Sequence, residues 1–164
     1  ATMNKGILIE VERETSNTKQ LLGRLKDEHL SFRPHPKSMS LGELASHIVE
    51  LHNWVKVALP HDIFDFHTMY KPFAASTAQE LINVLEEGYS ANVAAIEGTT
   101  EEAWQRTWNL QAGEYVIASV PKIGAFRFIL QNHLIHHRGQ LTVYMRMLDI
   151  PLPGLYGPSA DEKQ

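Results

Sequence analysis

Cysteine is absent from the 164-residue chain. That absence excludes disulfides, thiolate metal sites and cysteine nucleophiles together, and it leaves the redox compartment open. Positive charge is also scarce: 15 Lys and Arg stand against 19 Asp and Glu, for a formal charge of −4. Proteins that hold nucleic acid by its phosphates carry the opposite balance, so no nucleic-acid partner is expected. No apolar run approaches the roughly 18 residues needed to span a bilayer, so no membrane association is expected. Residues 1–9 lack a long apolar core and a small-residue cleavage site. No secretory signal is therefore read there, and a cytoplasmic location is the expectation. A Gly-rich phosphate loop is missing too, since Gly154 and Gly157 lie among prolines. Ser46 and His47 are neighbours on one helix and point about 100° apart, so they cannot pair as nucleophile and base.

The remaining composition, 43% hydrophobic and 21% charged, is that of an ordinary globular chain, and the length fits one domain over 1–164. Four segments carry helical periodicity. The first runs from about Asn4 to Leu25. The second starts at Ser40, where Ser40 and Glu43 spell a capping box, and carries Leu41, Leu44, Ile48, Leu51 and Val55 on one face. The third opens at the Thr77–Glu80 capping box and closes at Gly98; the fourth runs from Pro121 to Leu148, ahead of Pro151 and Pro153. A long connection covers Pro60 to Ser76. Thr107 to Val120 is the only stretch with strand-like residues and reads as a short hairpin or an irregular excursion. The pattern predicts an all-α four-helix bundle with that excursion before the last helix. A tail from about residue 151 is expected to lie over the bundle and then fray.

Histidine is the residue in excess, with nine copies. His133 and His137 lie one helical turn apart, about 40° from each other, on the face that holds Phe126, Leu130, Leu141 and Tyr144. Two inward imidazoles at this spacing can aim at one ion, as in H-E-x-x-H zinc helices. Glutamate is missing from the second position here, so a zincin is excluded. A pair of hydrogen-bonded core histidines is the alternative. No glutamate is followed three residues later by histidine, which excludes a ferritin-like di-iron site.

A third ligand must come from elsewhere. His47 and His52 flank the apolar stripe of the second helix on opposite sides, and periodicity does not choose between them. The Pro60–Ser76 connection adds His61, Asp62, Asp65 and His67, while His29 and His35 read as surface residues. Around the site, Trp54 is placed to wall a pocket, Glu50 to support the site or act as a base, and Gln140 to touch a bound ligand. His136, roughly 100° from His137, is a further neighbour. Gly139 costs about 1 kcal/mol in a helix interior, and close helix approach is its expected compensation.

Three stretches, residues 39–48 (MSLGELASHI), 133–141 (HLIHHRGQL) and 150–158 (IPLPGLYGP), resemble the DinB/YfiT-like superfamily of metal-dependent enzymes. With the helix count, the likeness covers nearly the whole chain. It implies a four-helix bundle holding one divalent ion through one histidine of the second helix and two of the fourth. Those positions map onto His47, His133 and His137, and the likeness thereby favours His47 over His52. Histidine ligands suit zinc or nickel as the ion, with iron or manganese as further fits. The implied activity is thiol-dependent S-transfer or small-molecule hydrolysis, with a small-molecule substrate, a low-molecular-weight thiol among the partners, and a homodimer. A metal-binding bundle dimer with a structural, sequestering or regulatory role and no turnover is the second reading. Without cysteine in the chain, any thiol chemistry must use a thiol from outside.

Overall fold

The computed structural model describes residues 2–162, so the last two residues of the tail expected to fray lie outside the described residues. Helix α1 (Thr2–Leu22) leads into a single 3-10 turn, Asp27–His29. Ser40 then caps α2 (Leu41–Ala58) by accepting from the Glu43 N–H at 3.1 Å. The Glu43 carboxylate pairs with Arg33 instead of returning to Ser40, so the expected box is used in one direction only. After α2 come a three-residue strand, β1 (Ile63–Asp65), and one helical turn, α3 (Phe66–Met69). Thr77 caps α4 (Ala78–Glu97) and Thr100 caps α5 (Glu101–Gln105), each accepting a backbone N–H three residues on at 3.1 Å. Such caps each contribute about 1 kcal/mol.

The excursion before the last helix is a hairpin, β2 (Thr107–Ala112) and β3 (Tyr115–Pro121), turned at Gly113, whose φ of 60° suits glycine. The Pro60–Ser76 connection adds a strand to it: β1 lies parallel to β2 with Phe64 opposite Leu110, completing the order β1-β2-β3. Phe64, Trp108 and Leu110 face inward from this sheet and pack on Ala58 and Ala125.

The last helix departs from expectation at its start. Pro121 belongs to β3, opposite Thr107, and the helical rod begins one residue later as α6 (Lys122–Gly124). It continues through a π-helical stretch, Ala125–Gln131, into α7 (Asn132–Met147). Lys122 pins the start of the rod to the end of α2. Its buried ammonium donates to the Leu59 carbonyl at 2.8 Å and pairs with Asp62 at 2.9 Å. The rod ends because Asp149 takes a left-handed conformation (φ 57°) and Ile150 N–H returns to the Met145 carbonyl at 3.0 Å.

Packing places α2 at the centre, against α4 on one side and α7 on the other. Its Leu44, Ile48 and Leu51 are fully buried. At the α2–α4 contact, a Cβ on Gly88 would lie 1.9 Å from Asn53 Oδ1, an atom that accepts from Asn92 at 3.2 Å. Glycine permits that approach. The tail is tied down through its described length: Asp161 pairs with Arg146 at 2.8 Å and accepts from the Leu152 N–H at 2.9 Å. Among the described residues, no helix is long and apolar enough to cross a membrane.

Candidate metal centre

Packing of α2 on α7 brings His47 against the His133–His137 pair. The three side chains are half-buried, and one ligand atom from each lies within 4.8 Å of the others. Ring centroids are 5.2 Å apart for His47 and His133, 4.8 Å for His47 and His137, and 4.6 Å for His133 and His137.

The hydrogen bonds behind the rings fix their tautomers. His133 Nδ1 lies 3.2 Å from the Ile129 carbonyl, and His137 Nδ1 lies 2.8 Å from Gln140 Oε1. Both oxygens can only accept, so both Nδ1 atoms carry a proton, and in the neutral ring Nε2 is then the atom with the free lone pair. These two Nε2 atoms face each other at 2.9 Å. Neutral imidazoles in that tautomer repel there, and a cation between them removes the repulsion. Ligand distances of about 2.0–2.1 Å in a tetrahedral zinc site put neighbouring nitrogens roughly 3.4 Å apart, close to the spacing found. Nitrogen from three imidazoles suits zinc, nickel or iron, and a three-ligand set leaves room for a further ligand.

Burial, reinforced by the repulsion that a charge would meet from His137 and His133, holds the His47 imidazole down at about 4. Burial and His137 also lower His133. Both rings are therefore neutral at pH 7, the form that binds metal. The contact of His133 with Ile129 also ties the site to the π-helical stretch, a feature that often accompanies functional positions.

The other expected site residues divide. Trp54 does stand beside the cluster, its ring 6.3 Å from that of His47 and 5.3 Å from that of Phe64. Gln140 turns its oxygen to His137 Nδ1 and so orients that ring. His136 is exposed, with its ring 4.9 Å from that of His137 and its Nε2 3.4 Å from the Gln140 amide nitrogen. Glu50 is only 9% exposed, so its carboxyl is not on a solvated face. Burial pushes that carboxyl above its usual range, against the pull of the Tyr70 hydroxyl and the Phe73 backbone. Gly139 corrects an expectation: a Cβ there would meet nothing within 4 Å, so close helix approach is not its role. In the connection, Asp62 pairs with Arg106 and Lys122, and Asp65 caps α3 by accepting from the His67 N–H. His61 and His67 are exposed.

His52 belongs to a different network. It is buried on the far flank of α2 with Nε2 2.7 Å from Thr18 Oγ1. Thr18 also accepts from Arg138 at 3.2 Å. Arg138 pairs in turn with the Glu14 carboxylate and donates to the Tyr156 hydroxyl at 2.9 Å. Sequence reading passed over Arg138 as part of a motif. The signal was its position on the stripe of Leu134, Leu141 and Met145, where a lone arginine needs a buried partner.

Burial, and secondarily the Arg138 charge, lowers His52 from 6.5 to about 3. The unfolded chain therefore binds a proton at this residue between those pH values while the folded chain does not. Stability should fall as pH drops through that window, by up to ~1.4 kcal/mol per pH unit. His52→Gln should flatten the pH dependence of the urea midpoint there, and an unchanged slope would assign the acid sensitivity to other groups.

The pattern that defines the DinB family matches residues 2–164. The uncharacterized protein YrdA of Bacillus subtilis (strain 168) is 28% identical over 153 residues, covering 92% of this chain and 86% of that protein. The uncharacterized protein YjoA of the same organism is 31% identical over 133 residues, 79% of this chain and 80% of that one. Among solved structures, a DinB-like protein from Bacillus cereus superposes with a TM-score of 0.70 at 27% identity, covering 93% of this chain and 97% of that chain. The structure of YjoA gives 0.69 at 21% identity over 97% and 99%, a likeness of fold alone. The chain belongs to the DinB family.

Proposed function

We propose that this chain is a divalent-metal-dependent enzyme that holds one ion through His47, His133 and His137. In this reading it transfers an external low-molecular-weight thiol to a small electrophile, or hydrolyses a small substrate. The observation that supports it most is the convergence of the three imidazoles, with the Nε2 atoms of His133 and His137 facing each other at 2.9 Å and His47 beside them. A bound divalent ion supplies Lewis acidity and lowers the pKa of a thiol or water in its open position. The chain's own contribution is orientation. Gln140 and the Ile129 carbonyl hold two rings with Nε2 forward, and burial keeps His47 and His133 unprotonated. Trp54 stands edge-on beside His47 on one side of the cluster. The homodimer implied by the family likeness is part of the same proposal, and light scattering tests it against the monomer mass of 18.6 kDa.

Chelation separates this reading from a structural or sequestering role. Metal-free protein should keep a cooperative thermal transition, because the hydrophobic core under α2 does not depend on the ion. Its consumption of chlorodinitrobenzene with cysteine or glutathione should fall to the uncatalysed rate and return when zinc or nickel is restored. Unfolding on chelation, or equal rates with and without metal, would overturn the enzymatic reading.

A further inference from the structure

A cavity of about 420 Å³ lies among α2, the β1–α3 segment and α4. Its size falls within the ~300–1,000 Å³ typical of small-molecule sites. Trp54, Phe64, Met69 and Phe73 give it apolar walls. One wall residue is polar and only partly satisfied: the Tyr70 hydroxyl and the Phe73 backbone act on the Glu50 carboxyl, but one of its oxygens is left over. Glu50 lines the cavity with 9% of its surface exposed, and its Oε2 is buried with no hydrogen-bond partner among the described residues. A buried acceptor left unused is a cost that a ligand's donor can remove. The neighbouring Asn53 is already occupied, donating to the Val84 carbonyl and accepting from Asn92, each at 3.2 Å.

The cavity adjoins the histidine cluster. His47, Glu50 and Trp54 recur at i, i+3 and i+7 and so share one face of α2. Trp54 belongs to both places, since it lines the cavity and stacks edge-on to His47. Lys56 and Lys71 line the cavity beside Glu50, so it already carries both signs of charge, and it is the largely apolar wall that favours an uncharged occupant.

We propose that this cavity binds the body of the substrate, a small uncharged aromatic or branched apolar molecule whose N–H or O–H donates to Glu50 Oε2. Its reactive end points past Trp54 toward the histidines. Only that last direction rests on the metal-enzyme reading.

Indole and N-methylindole form a matched probe pair, alike in apolar surface and differing in the donor. Titrated into the full chain and followed by the Met69 methyl resonance and by calorimetry, indole should bind about tenfold more tightly. Glu50→Leu should bring the ratio to about one while leaving N-methylindole bound. Glu50→Gln, which keeps an acceptor, should retain the preference. Equal affinities in the wild type, or no movement of Met69 up to the solubility limit, would overturn the proposal, and neither result depends on a variant folding. Repeating the titration with His47→Ala protein stripped of metal separates the two readings. Indole preference there supports the cavity even if the metal reading fails. Metal binding without indole preference in the wild type overturns the cavity alone.

Discussion

His47→Ala, His133→Ala and His137→Ala should each weaken zinc binding at least ~100-fold against wild type, measured by competition with a chromophoric chelator and by elemental analysis. Disturbing a partner that only orients a ligand usually costs 10–100-fold, so removing a ligand itself should cost no less. No replacement stands ready. His52 is turned to Thr18 on the far flank of α2, and His136 is exposed and turned toward Gln140. Gln140→Ala gives the graded comparison. It frees His137 Nδ1 without removing a ligand, and a loss of roughly 10–100-fold is expected. His136→Ala and His52→Ala should leave zinc affinity within a few-fold of wild type. Full zinc occupancy in His47→Ala or His133→Ala would dissolve the three-histidine site. Acidification should weaken binding because ligating imidazoles must be unprotonated. Burial and its two neighbours keep His47 neutral down to about 4, so proton competition at that ligand sets in only near there.

What could be read from the sequence was what is local. Ser40 and Thr77 mark helix starts because a hydroxyl cap and the backbone N–H that donates to it lie three residues apart. His133 and His137 are visible as a pair because both belong to one helix and the turn sets their angle. The choice between His47 and His52 is different in kind. Each flanks the stripe of α2 equally, and only the packing of α7 on one flank and Thr18 of α1 on the other separates them. Family likeness pointed to His47 before any geometry did. Strand β1 was hidden for a related reason: three residues carry no period, and their partner β2 arrives only after α4 and α5. The cavity was equally hidden. Glu50 looks like any helix-surface glutamate until the β1–α3 segment covers it.

Arg138→Met should cost about 3–5 kcal/mol in urea unfolding, because it leaves the Glu14 carboxylate buried without its counter-charge. Glu14 is 5% exposed and Arg138 1%, so water cannot take the place of the missing guanidinium. Against a total stability of about 5–15 kcal/mol, that is a large share. The double variant Glu14→Leu/Arg138→Met should recover most of the loss, since removing both charges also removes their desolvation cost. The same pair holds the tail. Tyr156 donates to Glu14 at 2.7 Å and accepts from Arg138 at 2.9 Å, which fastens residues 151–162 across α1 and α7. Limited proteolysis should therefore cut Arg138→Met within the tail before the wild type is touched. A loss below about 1 kcal/mol would mean that the pair is solvated in solution and that the tail lifts from the bundle. The two results bear on the site as well, because Arg138 directly follows His137. If the pair fixes the rotation of α7, Arg138→Met weakens zinc binding with all three histidines present, and the double variant restores it along with stability.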